Sequence, residues 1–326
     1  MAENGGLITQ EDLDLYEAKV RTPVMGSYKG YKIATMPPPS SGGVHLVQIL
    51  NILENKNLRE TGHNSADTIG IMAEAMKIAY ADRSKYLGDP DFVDVPVKKL
   101  TAKSYAKSVA DKISLNHITP STEIAPVPLQ SIHESDETTH FVVADKYGNV
   151  VSNTYTLNFS YGNRMMIPGT GILLNNQMDD FSMKPGVPNA YGLIGGKFNA
   201  IEPQKRMLSS MTPTIVFKDG TPFLVTGTPG GSRIITTTLQ ILLNVIDHDM
   251  NIAEASAAPR IHHQWFPDEI WVEKGLSPDT LVRLRKKGYR LNEKWAMGSA
   301  QSILIRDGRF YGSSDTRKPG ALVIGL

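Results

Sequence analysis

The sequence has no cysteine. That excludes disulfides, thiolate metal sites and a cysteine nucleophile, and leaves reducing and oxidising compartments equally open. It also has almost no net charge: across 326 residues, 34 lysines and arginines face 33 acids, formally +1. No field exists to gather nucleic acid or an anionic membrane, so neither is an expected partner. No stretch approaches the roughly 20 apolar residues of a membrane-spanning helix. The opening MAENGGLITQEDLDLYEAKV lacks the basic-then-apolar pattern of a signal peptide. Missing as well are G-x-S-x-G, H-E-x-x-H, Walker A and G-x-G-x-x-G, which leaves the familiar hydrolase, zincin and nucleotide-binding readings without support.

What is present is an ordinary globular composition, 40% hydrophobic and 21% charged, enough for one large core or two smaller domains. The first 130 or so residues carry mostly helical signals. ITQEDLDLYEAKV has Thr9 as an N-cap with acids in its first turn, SSGGVHLVQILNILENKNL is an apolar helix behind the breaker PPPSSGG, and SADTIGIMAEAMKIAYADRSKYLG and TAKSYAKSVADKI are two more. One strand, GYKIATM, is expected among them. The segment from Asn116 to Asp136, with Pro120, Pro126 and Pro128 and no periodicity, reads as a surface linker. From Thr138 the period changes to two. Hairpins are expected turning at KYGN, KDG and RDG, with helices over SRIITTTLQILLNVIDHDM, AEASAAPR and SPDTLVRLRKKG. The Gly- and Pro-rich region from Pro168 to Ser210 reads as long active-site loops.

Several local features admit both a structural and a chemical reading. Glu137-Thr138-Thr139 opens a strand; threonine is a good edge-strand residue, but Thr138 could also be a nucleophile that must be cut free from Glu137. TPGGSRI puts two glycines between a strand and a helix, which serves a tight turn or presents backbone N–H groups to an anion. Ser209-Ser210, before a strand, is a cap or a ligand clamp, and Asp179-Asp180 a loop cap or a functional pair. His262-His263 has no third ligand at a diagnostic spacing, so packing beside Trp265 is expected rather than metal binding.

Taken together, MPPPSSGG, AYADRS, TTHF, YTLN, GILLNNQMDDFS, KPGVPNAYGL, KRMLSSMTPTIV, GTPGGSRI and APRIHHQW resemble, in order and over nearly the whole chain, the gamma-glutamyltranspeptidase (glutathione hydrolase) family of N-terminal nucleophile hydrolases. The resemblance implies a proenzyme that cuts itself before Thr138. Residues 1–137 would be the C-terminal part of a large subunit, mostly helical with a linker, and 138–326 the small catalytic subunit, the two remaining associated. It implies that Thr138 attacks the gamma-glutamyl amide while its freed amine, titrating near pH 8, takes the proton. Thr156 would tune the nucleophile, and the amides of Gly230 and Gly231 would hold the oxyanion. Asn158, Gln177 and Asp180 would surround the donor's ammonium, Ser209 and Ser210 would hold its carboxylate, and Tyr191 would close a lid loop. An exposed aromatic in a mobile loop is the alternative for Tyr191. The donor would be glutathione or another gamma-glutamyl amide, and the acceptor water, an amino acid or a peptide. No cofactor and no metal are expected.

The implied fold is α+β, a four-layer αββα sandwich, expected here to be incomplete. The family's large subunit begins some 250 residues upstream of Met1 and includes a signal peptide, core elements and an arginine for the donor carboxylate. Loss of that partner costs about 2–5 kcal/mol of binding. The chain is therefore expected to be a fragment or one half of a split enzyme, impaired by itself and completed by an upstream piece. By resemblance the location is periplasmic or secreted. A glutaryl-cephalosporin or poly-gamma-glutamate acylase, and a non-catalytic fragment, are the competing readings.

Overall fold

A computed structural model describes residues 1, 5–124 and 138–325. The expected cleavage bond Glu137–Thr138 and residues 125–136 of the expected linker lie outside the described residues; its described part departs from a surface linker, since Ser121–Ile124 form a helical turn with Ser121 buried against Trp265. Helix signals translate directly. Thr9 caps Gln10–Leu15 in a capping box with Asp12, and Ser65 accepts from the Thr68 N–H to start the long helix Ala66–Tyr86. The apolar run after PPPSSGG forms Gly42–Leu53, every residue of it buried, and Lys103–Ala110 and Arg233–Ile246 follow the sequence pattern.

Strands β1 (Val24–Tyr28) and β2 (Tyr31–Thr35) form a hairpin where the sequence reading expected one strand. The reason is the turn: Lys29 and Gly30 both have positive φ, 47° and 86°, so the two-residue Lys-Gly link reverses the chain despite Gly and Ser in β1. The expected hairpins appear as β3 (Thr139–Ala144) with β4 (Val150–Tyr155), β5 (Thr214–Lys218) with β6 (Thr221–Gly227), and β10 (Gln301–Arg306) with β11 (Arg309–Ser314). A small sheet of β7 (Ile261–His262), β8 (Ile270–Glu273) and β9 (Leu291–Lys294) was not foreseen. Its strands are two to four residues long, too short to display a period, and parallel β8–β9 pairing is bridged by the helix Pro278–Lys287.

The main sheet runs β1-β2-β5-β6-β10-β11. Gly26, Ile33, Val216, Leu224 and Leu304 are cross-strand neighbours, so they share one face. Gly26 faces Val47 of the Gly42–Leu53 helix, and the other four join its leucines and isoleucines in the largest core cluster. Gly227, an odd three residues beyond Leu224, points the other way. There the β3–β4 hairpin lies across β6 and β10, with the His140 ring over Gly227. Helices, six-stranded sheet and hairpin are thus three successive layers. The outward residues of the hairpin include Phe141, Val143, Val151 and Tyr155, which are 44–57% exposed. Among the described residues no fourth layer covers them.

Close approach at Gly227 fixes how the hairpin sits. A methyl group there would stand 2.4 Å from His140 Cε1. Gly227→Ala is expected to lower stability by about 1–3 kcal/mol and to displace the start of β3, measured by urea unfolding. An unchanged midpoint would show that the hairpin is not seated on this contact.

Candidate active site

The β3–β4 register brings the two threonines together. Thr139 pairs with Tyr155, so the residues immediately outside the ladder, Thr138 and Thr156, meet across it. Thr138 Oγ1 donates to Thr156 Oγ1 at 3.2 Å, and Asn158 N donates to the same oxygen at 2.9 Å. Thr156 therefore holds the Thr138 hydroxyl in one orientation. Thr138 is only 8% exposed and opens onto a narrow cleft.

That cleft is lined by Thr138, Thr156, Asn158, Asp180, Tyr191, Ser209, Ser210 and Gly231. Residues from segments over 90 positions apart meet there, eight of the ten singled out from sequence. Gln177 and Gly230 are not among the lining residues. Gln177 starts the 3-10 turn Gln177–Asp180 and its N–H donates to Asn175 Oδ1. Gly230 lies just behind Gly231, with its carbonyl accepting from Arg233 N and its Cα side facing Gly298.

Each lining group has a local reason for its position. Asn158 adopts φ +75°, and its Nδ2 donates to Asn176 O at 3.2 Å, tying the end of β4 to the loop that carries Asp180. Gly231, at φ +55°, lies under the Tyr191 ring; a Cβ there would meet that ring at 2.5 Å, so only glycine lets the aromatic lie this close. Tyr191 is 3% exposed and its hydroxyl donates to Asn158 O at 2.8 Å. The alternative of an exposed loop aromatic is thereby corrected: Tyr191 is packed over the glycine turn. The acidic pair divides its work, with Asp179 Oδ2 accepting from Ala190 N and Asp180 facing the cleft.

Ser209 and Ser210 are clamped by the chain before the Gly42–Leu53 helix. Ser209 N donates to Pro39 O, Ser41 N and Oγ both donate to Ser209 O, and Ser40 Oγ donates to Met211 O. Arg83, 5% exposed, donates from Nε to Ser41 Oγ at 2.9 Å and from Nη2 to Ser210 Oγ at 3.3 Å. Arg83 lies in the AYADRS segment, which by itself assigns it no role. A signal was available: Ile69, Met76 and Tyr80 mark the buried stripe of this helix, and Arg83 falls on it at helical spacing. An arginine on an apolar stripe calls for buried partners.

Electrostatically the cleft is divided. Burial pushes the Asp180 carboxyl up to about 7; the Arg83 charge pulls it down and Asp179 pushes it further up. Burial lowers the Arg83 guanidinium to about 10, where it remains charged at neutral pH. His262 packs against Trp271 and Tyr80, while His263 Nδ1 accepts from Trp265 N and its other nitrogen faces Asp268. Among the described residues no group of three or more potential ligands is placed to hold a metal.

A family model described as Gamma-glutamyltranspeptidase matches residues 1–325. The chain belongs to the gamma-glutamyltranspeptidase family. It is similar to the glutathione hydrolase proenzyme of Escherichia coli K12, 60% identical over 100% of this chain and 56% of that protein. It is also similar to that of Pseudomonas aeruginosa, 44% identical over 98% of this chain and 58% of the relative. The chain thus spans a little over half the length of these curated relatives. Among solved structures, a cephalosporin acylase from Bacillus halodurans superposes on 97% of this chain and 55% of its own at TM-score 0.79 and 25% identity. A gamma-glutamyltranspeptidase of Helicobacter pylori, 57% identical, covers 55% of this chain and 100% of its own at TM-score 0.54. The α+β architecture is therefore that of the gamma-glutamyltranspeptidase and cephalosporin acylase fold.

The Asp180 environment has a direct readout. In a carbon-13 NMR titration, the carboxyl signal lost in Asp180→Asn is expected to titrate near pH 7, well above ordinary aspartates. A midpoint near 4 would mean that water reaches the carboxylate freely.

Proposed function

We propose that this chain carries the nucleophile and most of the donor site of a gamma-glutamyl hydrolase and transferase. The observation that carries the reading is the Thr138–Thr156 hydroxyl pair at the mouth of a cleft that also holds Asp180, Ser209 and Ser210. Cleavage between Glu137 and Thr138 frees an amine that is a base near pH 8, which a peptide nitrogen is not. Thr138 Oγ then attacks the gamma-glutamyl carbonyl carbon and its proton passes to that amine. The oxyanion is held by the N–H groups of the Gly230-Gly231 turn. The amide C–N bond breaks, the proton goes to the departing amine, and a gamma-glutamyl ester on Thr138 remains. Water resolves it to glutamate; an amino acid or peptide amine resolves it by transfer.

Donor specificity in this reading comes from pairing opposite charges. The Asp180 carboxylate accepts from the donor's ammonium, and the hydroxyls of Ser209 and Ser210 donate to its carboxylate. Glutathione satisfies both. A glutaryl side chain has no ammonium and leaves Asp180 buried without a partner, which argues against an acylase. The reading includes an upstream segment of a longer precursor that supplies a further arginine and covers Phe141, Val143, Val151 and Tyr155, whose exposure supports such a cover. Without it, turnover is expected below the family's normal rate. Export to the periplasm or beyond goes with this reading by resemblance alone.

Incubation near pH 8 followed by intact mass and N-terminal sequencing tests the first step. Pieces of 137 and 189 residues, the second starting Thr138-Thr139-His140, are expected, and Thr138→Ala should stay whole. A wild-type chain that never cuts, even with the upstream segment supplied, would refute the reading.

The pH profile tests the donor site. Asp180 must be ionised to hold an ammonium, so kcat/KM for a gamma-glutamyl anilide should fall as pH drops through about 7, where Asp180 takes up its proton. Asp180→Asn should lower kcat/KM by about 100-fold and abolish that limb, leaving the one set by the Thr138 amine. A wild-type limb that survives in the variant would show that another group produces it.

A further inference from the structure

Ser210 has one proton to give, and the fold determines where it goes. A serine hydroxyl carries one donor and two acceptor lone pairs. Arg83 Nη2 donates to Ser210 Oγ, so one acceptor position is filled from behind the cleft. Among the described residues Ser210 Oγ has no acceptor for its own proton, and it lines the cleft beside Ser209 and Asp180. The guanidinium cannot swing away. Its Nε is held by Ser41 Oγ, and that same Ser41 hydroxyl donates to Ser209 O at 2.8 Å. Arg83 therefore spans both halves of the serine pair, one directly and one through Ser41.

We propose that Arg83 is the positioning residue of the donor-carboxylate subsite: it turns the Ser210 proton into the cleft and sets a buried positive charge behind it. This rests on the functional reading above, in which Ser209 and Ser210 receive the carboxylate of a gamma-glutamyl donor. Arg83 itself need not touch the substrate. Its charged or polar surroundings are Asp180, the Tyr80 hydroxyl and His45, the last kept neutral because burial lowers it to about 3. No ionised acid is hydrogen-bonded to the guanidinium among the described residues, so its field is not cancelled by an ion pair. In a low-dielectric pocket such a field acts strongly on a nearby anion. Lysine is not an equivalent. A single ammonium keeps the charge but lacks the planar fork that holds Ser41 and Ser210 at once.

The test compares two anilides on wild type, Arg83→Met and Arg83→Lys: gamma-glutamyl-p-nitroanilide and 4-aminobutyryl-p-nitroanilide. They share the amine and the scissile amide and differ only in the carboxylate. In Arg83→Met the ratio of their kcat/KM values is expected to fall about tenfold, with the loss for the gamma-glutamyl substrate in KM rather than kcat, and Arg83→Lys is expected to restore part of it. Equal losses on both substrates would overturn the proposal and leave Arg83 a structural residue. If the wild type cleaves neither anilide even with the upstream segment supplied, the functional reading fails, and the subsite is read by thermal unfolding with L-glutamate and 4-aminobutyrate. Greater stabilisation by L-glutamate, erased in Arg83→Met, supports the Arg83 assignment; no preference for L-glutamate overturns it. Should Arg83→Met not fold, the same comparisons on Arg83→Lys decide.

Discussion

The pairing of β2 with β5 is the seam on which the rest depends. β1 and β2 precede Thr138 in the chain, and every other described strand follows it. The ladder from Lys32–Phe217 to Thr35–Thr214 makes one sheet of both parts. Beyond the ladder the same two segments stay together through the Thr35–Thr214 hydroxyl contact and a separate, isolated parallel bridge between Ser40 and Ser209 at the cleft. The two segments that pair in the core sheet thus also bring Ser209 and Ser210 to the cleft. If the chain is cut at Thr138, this seam holds the pieces by noncovalent contacts alone. It is reinforced where the Tyr80 hydroxyl donates to Ser232 O, where Tyr289 donates to Glu74, and where Trp265 and Ser121 exchange hydrogen bonds.

A core assembled this way brings charge inside with it. The helix Ala66–Tyr86 packs on the Gly42–Leu53 helix, yet carries Glu74, Lys77 and Arg83 in its buried surface. Glu74 and Lys77 pair with each other at 2.6 Å, which compensates their desolvation. Among the described residues Arg83 hydrogen-bonds only to hydroxyls, with Asp180 as the acid whose charge favours its own, and in the proposed reading an anionic ligand adds to that compensation.

Much of this was legible in the sequence, for identifiable reasons. Amphipathic helices and Asp-Gly or Tyr-Gly-Asn turns carry their signal locally, so the long helices and three hairpins stood where their periods put them. β1 escaped because its Gly26 and Ser27 break the alternation that marks a strand, and Gly26 is there to admit Val47. β7 to β9 escaped because strands so short are defined by partners distant in sequence. Most of the site was reached through motif resemblance, and its geometry shows what a motif omits. Thr138 and Thr156 meet because a hairpin register aligns them, and no local pattern states a register. Arg83 stood inside a quoted motif without a role because its partners, Ser41 and Ser210, lie 42 and 127 residues away.

The buried acid also bears on how such a fold can serve substrates with and without an amine. Asp180 near 7 is poised between its two forms. Well above that pH it is an anion in a desolvated site, and an ammonium is the ligand that relieves it; a glutaryl chain leaves the charge stranded. Below it the acid is neutral, and the same pocket no longer distinguishes an ammonium by charge. In the proposed reading, selectivity for the amine is therefore a property of the protonation state as well as of the residue. Arg83 contributes to it from a distance, since its field favours the ionised form of Asp180 while attracting the carboxylate at Ser210. In the proposed reading, a single guanidinium held by two serines thus biases both ends of the cleft toward a zwitterionic donor head.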